Sequence, residues 1–290
     1  MKSLNYQGIV VFLKNGKLEA MKYIHAVSND TEQERLQSLN SPLREIIRNA
    51  DLVSCHFMTT QQMIVDYRPF ERSFLLDMPK NIDLSAEDYN FELVGQENIA
   101  LLPAYVIALK PKDNFRYQRK IWIEKTHFLP LKVVMYDFLG QSLEQLVFTD
   151  LEVKDSIPIS NDKLLSSVPA ASQSKNSILP GTANGKDSQV KPPFVAAEMP
   201  HGFQQIFYNR SRVHNSNQLV DHMVLSDGFS SVSIYMESKN ATMPAGLQSV
   251  GAVNSFSRSI GNYELTVMGE VPASTVQKIA DGIKLLNQGN

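Results

Sequence analysis

Residues 166–193 break the chain in two. The stretch holds six serines and four prolines and no aromatic residue, so it cannot bury enough apolar surface to offset the entropy of ordering it. Folding must therefore happen on either side. This predicts a first domain over 1–165, a flexible linker over 166–193 and a second domain over 194–290. A chain of 290 residues suits two domains, and a hydrophobic share of 43% against a charged share of 20% supplies a core for each.

Before the break the apolar residues recur with period two in short runs. Residues 6–13 and 18–25 flank Lys14-Asn15-Gly16-Lys17, and Asn-Gly supplies the positive φ angles of a type I′ hairpin turn. A second hairpin is predicted over 43–58, turning at Asn49-Ala50-Asp51. The competing reading, an amphipathic helix over 31–48, is opposed by Pro42. Further strands are expected at 61–66, 91–96, 104–110, 116–124, 131–138 and 143–152, with one short helix over 84–90 near Ser85. Many antiparallel strands and few helices imply a curved sheet or a partly closed barrel. After the break, 203–212, 219–226 and 229–237 read as strands, with Val232, Ile234 and Met236 on one face. Residues 249–260 and 263–269 form a hairpin across Gly261-Asn262, and a helix follows Pro272 with Val276, Ile279, Ala280 and Ile283 as its apolar stripe. The class is mainly β, an unclosed antiparallel barrel followed by a smaller α+β domain of about five strands.

Chemistry is scarce in this sequence. The net charge of −2 gives no field toward nucleic acid. Cys55 is the only cysteine, which excludes an internal disulfide and disfavours a thiolate metal site. Its neighbour His56 points to the opposite side of a strand, so the two cannot act together, and Cys55 reads as a small buried apolar residue. The six histidines, at 25, 56, 127, 201, 214 and 222, form no H-E-x-x-H or i, i+4 pair. No G-x-S-x-G elbow, carboxylate pair or glycine-rich loop before a helix occurs. No catalytic residue, metal ligand or cofactor is therefore expected. No run approaches the roughly 20 apolar residues that span a bilayer. GIVVFL near the start is too short for a signal-peptide core. A chain without an export signal suits either the cytosol or a trimmed mature form.

What remains suits a binder. Aromatic and methionine side chains concentrate in the first domain and can line an adaptable apolar cavity, or simply fill the core. Met63, Phe70, Phe74, Leu76 and Trp122 are the candidates for an apolar concave face. Three of these five, Phe70, Phe74 and Leu76, lie in the segment YRPFERSFLLDMPK (67–80), which mixes apolar, basic and proline residues as a lid or recognition loop does. In the second domain Phe207, Tyr208, Arg210, Arg212 and Phe229 are the candidate partner surface, since aromatic and arginine side chains dominate binding hot spots. Core packing of the two phenylalanines is the competing reading.

Several runs carry a family resemblance. RLQSLNSPLREIIRNADLVSCHF and RYQRKIWIEKTHFLPLKVVMYDFLGQSLEQLVFTDLEV resemble the strand patterns of the RseB/MucB family. MPHGFQQI, LSDGFSSVSIYM and GEVPASTVQKIADGIKL resemble that family's later motifs. The likeness covers both domains in order and lapses in the linker. It implies a periplasmic, non-enzymatic negative regulator of an envelope-stress sigma factor. The large domain would resemble the lipoprotein carriers LolA and LolB, and the protein would bind the periplasmic part of a membrane-spanning anti-sigma factor and shield it from proteolysis. Lipopolysaccharide or lipoprotein acyl chains would compete for the protein; a homo-oligomer is compatible with the family. SLNYQG stands roughly where the family's first helix ends, so that helix and the family's signal peptide are expected to be missing from this chain, and Ser41-Pro42 stands where the family has Gly-Pro. A plain lipid or lipoprotein carrier is the alternative, which leaves 194–290 without a role.

Overall fold

In a computed structural model, the described residues are 3–28, 31–49, 52–57, 62–67, 73–76, 82–159, 191–212, 219–239 and 245–286. Eleven strands make the first sheet: β1 (Asn5–Lys14), β2 (Lys17–Ser28), β3 (Thr31–Ser38), β4 (Arg44–Asn49), β5 (Leu52–Phe57), β6 (Gln62–Tyr67), β7 (Tyr89–Ile99), β8 (Leu102–Pro111), β9 (Gln118–Glu124), β10 (Pro130–Tyr136) and β11 (Ser142–Lys154). A one-turn helix α1 (Ile82–Ser85) precedes β7. The spatial order is β6-β5-β4-β3-β2-β1-β11-β10-β9-β8-β7. The sheet thus grows outward by hairpins from the β1/β11 pair, and β6 and β7 are its two edges, so the antiparallel sheet is unclosed.

Local sequence explains the hairpins. Asn15 and Gly16 take φ of 53° and 70°, the left-handed pair that a two-residue turn between right-twisted strands needs. Gly8 is required for another reason: a Cβ there would lie 2.1 Å from the Asp150 carbonyl oxygen, beside the bulge at Ile9/Val10 where β1 meets β11. The Ser41–Pro42 peptide is cis in the β3–β4 connection.

Residues 31–38 are a strand, so the helical alternative over 31–48 does not hold. TEQERLQS shows little apolar alternation because its inward positions are charged and are satisfied across the sheet, Glu34 by Arg48 on β4. The helix expected over 84–90 ends at Ser85. Asp88 N–H turns back to the Ser85 carbonyl, and Tyr89 opens β7, buried and opposite Pro111. Cys55 is half-buried rather than buried, one strand from the β6 edge.

The second unit holds β12 (Phe194–Ala196), β13 (Gln204–Arg212), β14 (Leu219–Ser226), β15 (Ser231–Ser238), β16 (Gly246–Val250), β17 (Val253–Ile260), β18 (Tyr263–Gly269), helix α2 (Ala273–Asp281) and β19 (Ile283–Leu285). Six of these strands form one sheet in the order β13-β14-β15-β18-β17-β16, and β12 pairs with β19. That is more strands than the sequence suggests: β12 and β19 pair outside the expected runs, and Gly251, at φ 61°, separates β16 from β17. Val232, Ile234 and Met236 share the buried face, and Val276, Ile279 and Ala280 of α2 pack on it. Ile283 belongs to β19 rather than to the helix, yet joins the same core.

Candidate binding site

One face of the first sheet collects the inward side chains of β1, β2, β3 and β11. Tyr6, Val10, Met21, Tyr23, Leu36, Leu146 and Phe148 form a continuous apolar surface there. This surface is covered by part of the chain itself. Leu75 is buried in that cluster and Phe74 packs against it, while Leu76 is buried with Tyr89, Leu109, Ile121 and Phe229. Segment 73–76 therefore lies between the first sheet and the second unit.

A buried polar network holds the segment. Glu34 accepts from Tyr23 Oη at 2.7 Å and Ser73 Oγ at 2.6 Å on one oxygen, and from the Phe74 N–H at 3.1 Å and Arg48 Nε at 2.8 Å on the other. Four donors saturate this carboxylate, which is what its burial demands. Arg48 also donates to Glu32 at 3.0 Å, and His25 places Nε2 3.1 Å from the same oxygen and Nδ1 2.7 Å from the Leu4 carbonyl. The hydrogen bond from His25 is the main influence lowering the Glu32 pKa, with Arg48 assisting against burial. Burial, reinforced by nearby Tyr6 and Glu34, pushes the Tyr23 hydroxyl well above its usual range. His25, Glu32 and Glu34 bring ligand-type atoms within 4.8 Å of one another. Arg48 already sits against both carboxylates, so the group reads as an ion-pair network and not as a metal site.

Beside this segment a cavity of about 340 Å³ opens at the junction of the two units. Phe12, Phe74, Leu75, Leu76, Leu146 and Phe229 supply apolar walls, and Lys14, Arg119, Glu144 and Glu270 supply charge. Lys14 Nζ lies 2.9 Å from Glu144 and 2.7 Å from Glu270. Burial, aided by Glu270, raises the Glu144 pKa in spite of Lys14.

The two units are fastened around the cavity by polar contacts. Arg116, with no exposed side-chain surface, donates to Asp227 at 2.6 Å and to Asp113 and the His201 carbonyl, and lies 3.5 Å from Asp88. Tyr89 Oη donates to Asp227 at 2.8 Å, and Arg119 donates to the Phe229 carbonyl. Thr275 Oγ1 donates to the Phe115 carbonyl at 2.7 Å, and Asn254 Nδ2 to Tyr117 Oη at 3.0 Å. His201 Nδ1 lies 2.9 Å from Asp88, and that bond raises the imidazole pKa.

The structure brings Phe74, Leu76 and Phe229 to one cavity, although the sequence assigns them to two different surfaces. It sets Trp122 apart. Alternation along β9 turns Ile121 toward Leu76 and Trp122 to the opposite face, where Lys132 Nζ sits 4.4 Å from its ring centroid and Nε1 donates to Glu97 at 2.9 Å. Phe207 stands on β13 with its ring edge-on to His222 at 5.6 Å. Tyr208 and Arg210 occupy the other face of β13, both donating to Asp221. Arg212 ends β13 and Met63 lies on β6, their side chains outside the described residues. Phe70 lies outside the described residues altogether, as do 166–190. Sequence reasoning missed Glu34, Arg48, Arg116 and Asp227. Their one signal was charge in or beside otherwise strand-like runs.

Comparison with known proteins gives a consistent result along the chain. A family model described as the MucB/RseB N-terminal domain matches residues 1–168, and one described as the MucB/RseB C-terminal domain matches 188–284. The sigma-E factor regulatory protein RseB of Haemophilus influenzae is 25% identical over 98% of this chain and 87% of its own length. The sigma factor AlgU regulatory protein MucB of Pseudomonas aeruginosa is 27% identical over 97% of this chain and 86% of its own. These are names of regulators, not of enzymes. The solved structure of the Pseudomonas aeruginosa MucA/MucB complex contains a chain of the same fold, with a TM-score of 0.71 at 23% identity, covering 98% of this chain and 94% of that one.

Proposed function

The chain belongs to the MucB/RseB family, and on that premise we propose that it is a periplasmic, non-enzymatic regulator that binds the periplasmic segment of an anti-sigma factor. The observation that carries this reading is the match of both units, in order, to a family whose members are named sigma-factor regulators. A solved relative is described in complex with MucA(peri). Bound in this way, the protein shields the anti-sigma factor from regulated proteolysis. An amphiphile, lipopolysaccharide or a lipoprotein acyl chain, releases it by linked equilibria in which two ligands exclude each other. The junction cavity, with apolar walls and charged lining residues, supports that part of the reading, and Phe74, Leu76 and Phe229 are among the residues that line it.

The test is a titration of the full chain with the periplasmic segment of the anti-sigma factor from the same organism. Saturable binding is expected, together with slower cleavage of the segment by its protease and loss of the complex when lipopolysaccharide is added. A chain that binds amphiphile but not the segment would be a carrier instead.

A further inference from the structure

The contacts of Ser73–Leu76 are those of a bound peptide. The segment is neither helix nor strand. Among the described residues its one main-chain hydrogen bond to the sheet is Phe74 N–H to Glu34 at 3.1 Å. The Ser73 hydroxyl meets the other Glu34 oxygen at 2.6 Å, and Leu75 and Leu76 fill separate apolar clusters, the second shared with Phe229 of the other unit. So a saturated carboxylate reads one hydroxyl and one amide, and two pockets read bulky aliphatic groups.

Hydrogen-bond bookkeeping decides what could replace this segment. Glu34 is 1% exposed. A hydrocarbon chain entering here would strip two donors from a buried carboxylate and return none, an unfavourable exchange because buried acceptors left unpaired are costly. A polypeptide restores both donors along with the apolar contacts. We propose that the sheet face beneath Ser73–Leu76 is a peptide-recognition site that the chain occupies with its own segment, and that it exchanges this segment for a partner peptide carrying a hydroxyl residue followed by bulky apolar ones. The proposal rests on the partner-binding reading above for the existence of a peptide partner and adds the chemistry by which that partner is read. Exchange would also loosen the Leu76–Phe229 contact, so occupancy is communicated to the second unit.

The test uses the full chain and a fluorescein-labelled peptide of residues 72–78, RSFLLDM. In the variant Phe74→Gly/Leu75→Gly/Leu76→Gly, which keeps chain length but empties the pockets, the peptide should bind about tenfold more tightly than to the unaltered chain. The same peptide with alanine for its serine should bind that variant about threefold more weakly. Equal peptide affinity for the variant and the unaltered chain would overturn the proposal. So would a variant that takes up N-phenyl-1-naphthylamine but not the peptide, which would make the face a hydrocarbon site. If the triple variant does not fold, Ser73→Ala alone carries the test, with about a threefold gain in peptide affinity expected and no gain fatal. Because the probe is the chain's own sequence, failure here leaves binding of the anti-sigma segment a separate question.

Discussion

Glu32 and Arg210 show how a single side chain's surroundings set its behaviour. The Glu32 pKa is depressed in the folded state, chiefly by His25 and then Arg48. A depressed carboxylate contributes stability that is fully present above its unfolded value, near 4.5, and is lost as pH falls through the folded value. Between pH 6 and pH 3 the unaltered chain should therefore lose more stability than Glu32→Gln, as read from urea melts at each pH; equal losses would remove Glu32 from the acid response. Arg48 is more consequential, since both Glu32 and Glu34 lean on it. Arg48→Met should cost about 3–5 kcal/mol, the scale for orphaning a buried ion-pair partner. Arg210 was legible as an arginine beside aromatics, but not as the partner of Asp221, because that partner lies on another strand. Arg210→Ala consequently perturbs the second unit's own polar contacts, and a loss of partner affinity in that variant has to be read beside its melting temperature.

At the scale of elements, strands were legible wherever one face is apolar and the other wet. β15 is the clear case, with Val232, Ile234 and Met236 at 0% exposure in alternate positions. β3 was not legible, since Glu32, Glu34 and Leu36 share its inward face and the charges are compensated, among the described residues, from β2, β4 and segment 73–76. Period-two reasoning prices charge as exposed, and a buried network defeats it. The β1–β11 pairing that joins the two halves of the sheet was equally hidden, because it spans the whole unit and depends on the absent Cβ of Gly8. Gly8→Ala drives a methyl group against the Asp150 carbonyl, and backbone cannot yield as a side-chain tip can. We expect a loss of about 1–3 kcal/mol in chemical denaturation, with the β1 and β11 amides showing the largest gain in hydrogen exchange. Unchanged exchange there would mean the strands separate at no cost.

The molecule as a whole depends on a joint that neither unit contains alone. The composition of 166–193 proposes a boundary, and a nonspecific protease should cut there before it cuts within 1–160. What the composition could not reveal is how the units are held together, because Arg116 and Asp227 are 111 positions apart. Sequence therefore proposed two units and singled out Phe74, Leu76 and Phe229 as candidates on separate surfaces, but not that the three line one cavity. Arg116 is the decisive residue of that joint. It is the one cation in reach of Asp227, Asp113 and Asp88 together in the contacts described, and its guanidinium lies 5.4 Å from the Tyr89 ring centroid and 5.2 Å from that of Phe203. Arg116→Ala leaves Asp227 and Asp88 buried without it, at a cost of about 3–5 kcal/mol. Each unit keeps its own sheet and core, so this cost should fall on their association. The expected result is two separated melting transitions where the unaltered chain shows one, with a larger radius of gyration in solution scattering and weaker binding of any ligand that needs the junction cavity. A single transition, lowered but undivided, would show that the units hold together without the Arg116 cluster and that the Lys14–Glu270, Thr275–Phe115 and Asn254–Tyr117 contacts suffice.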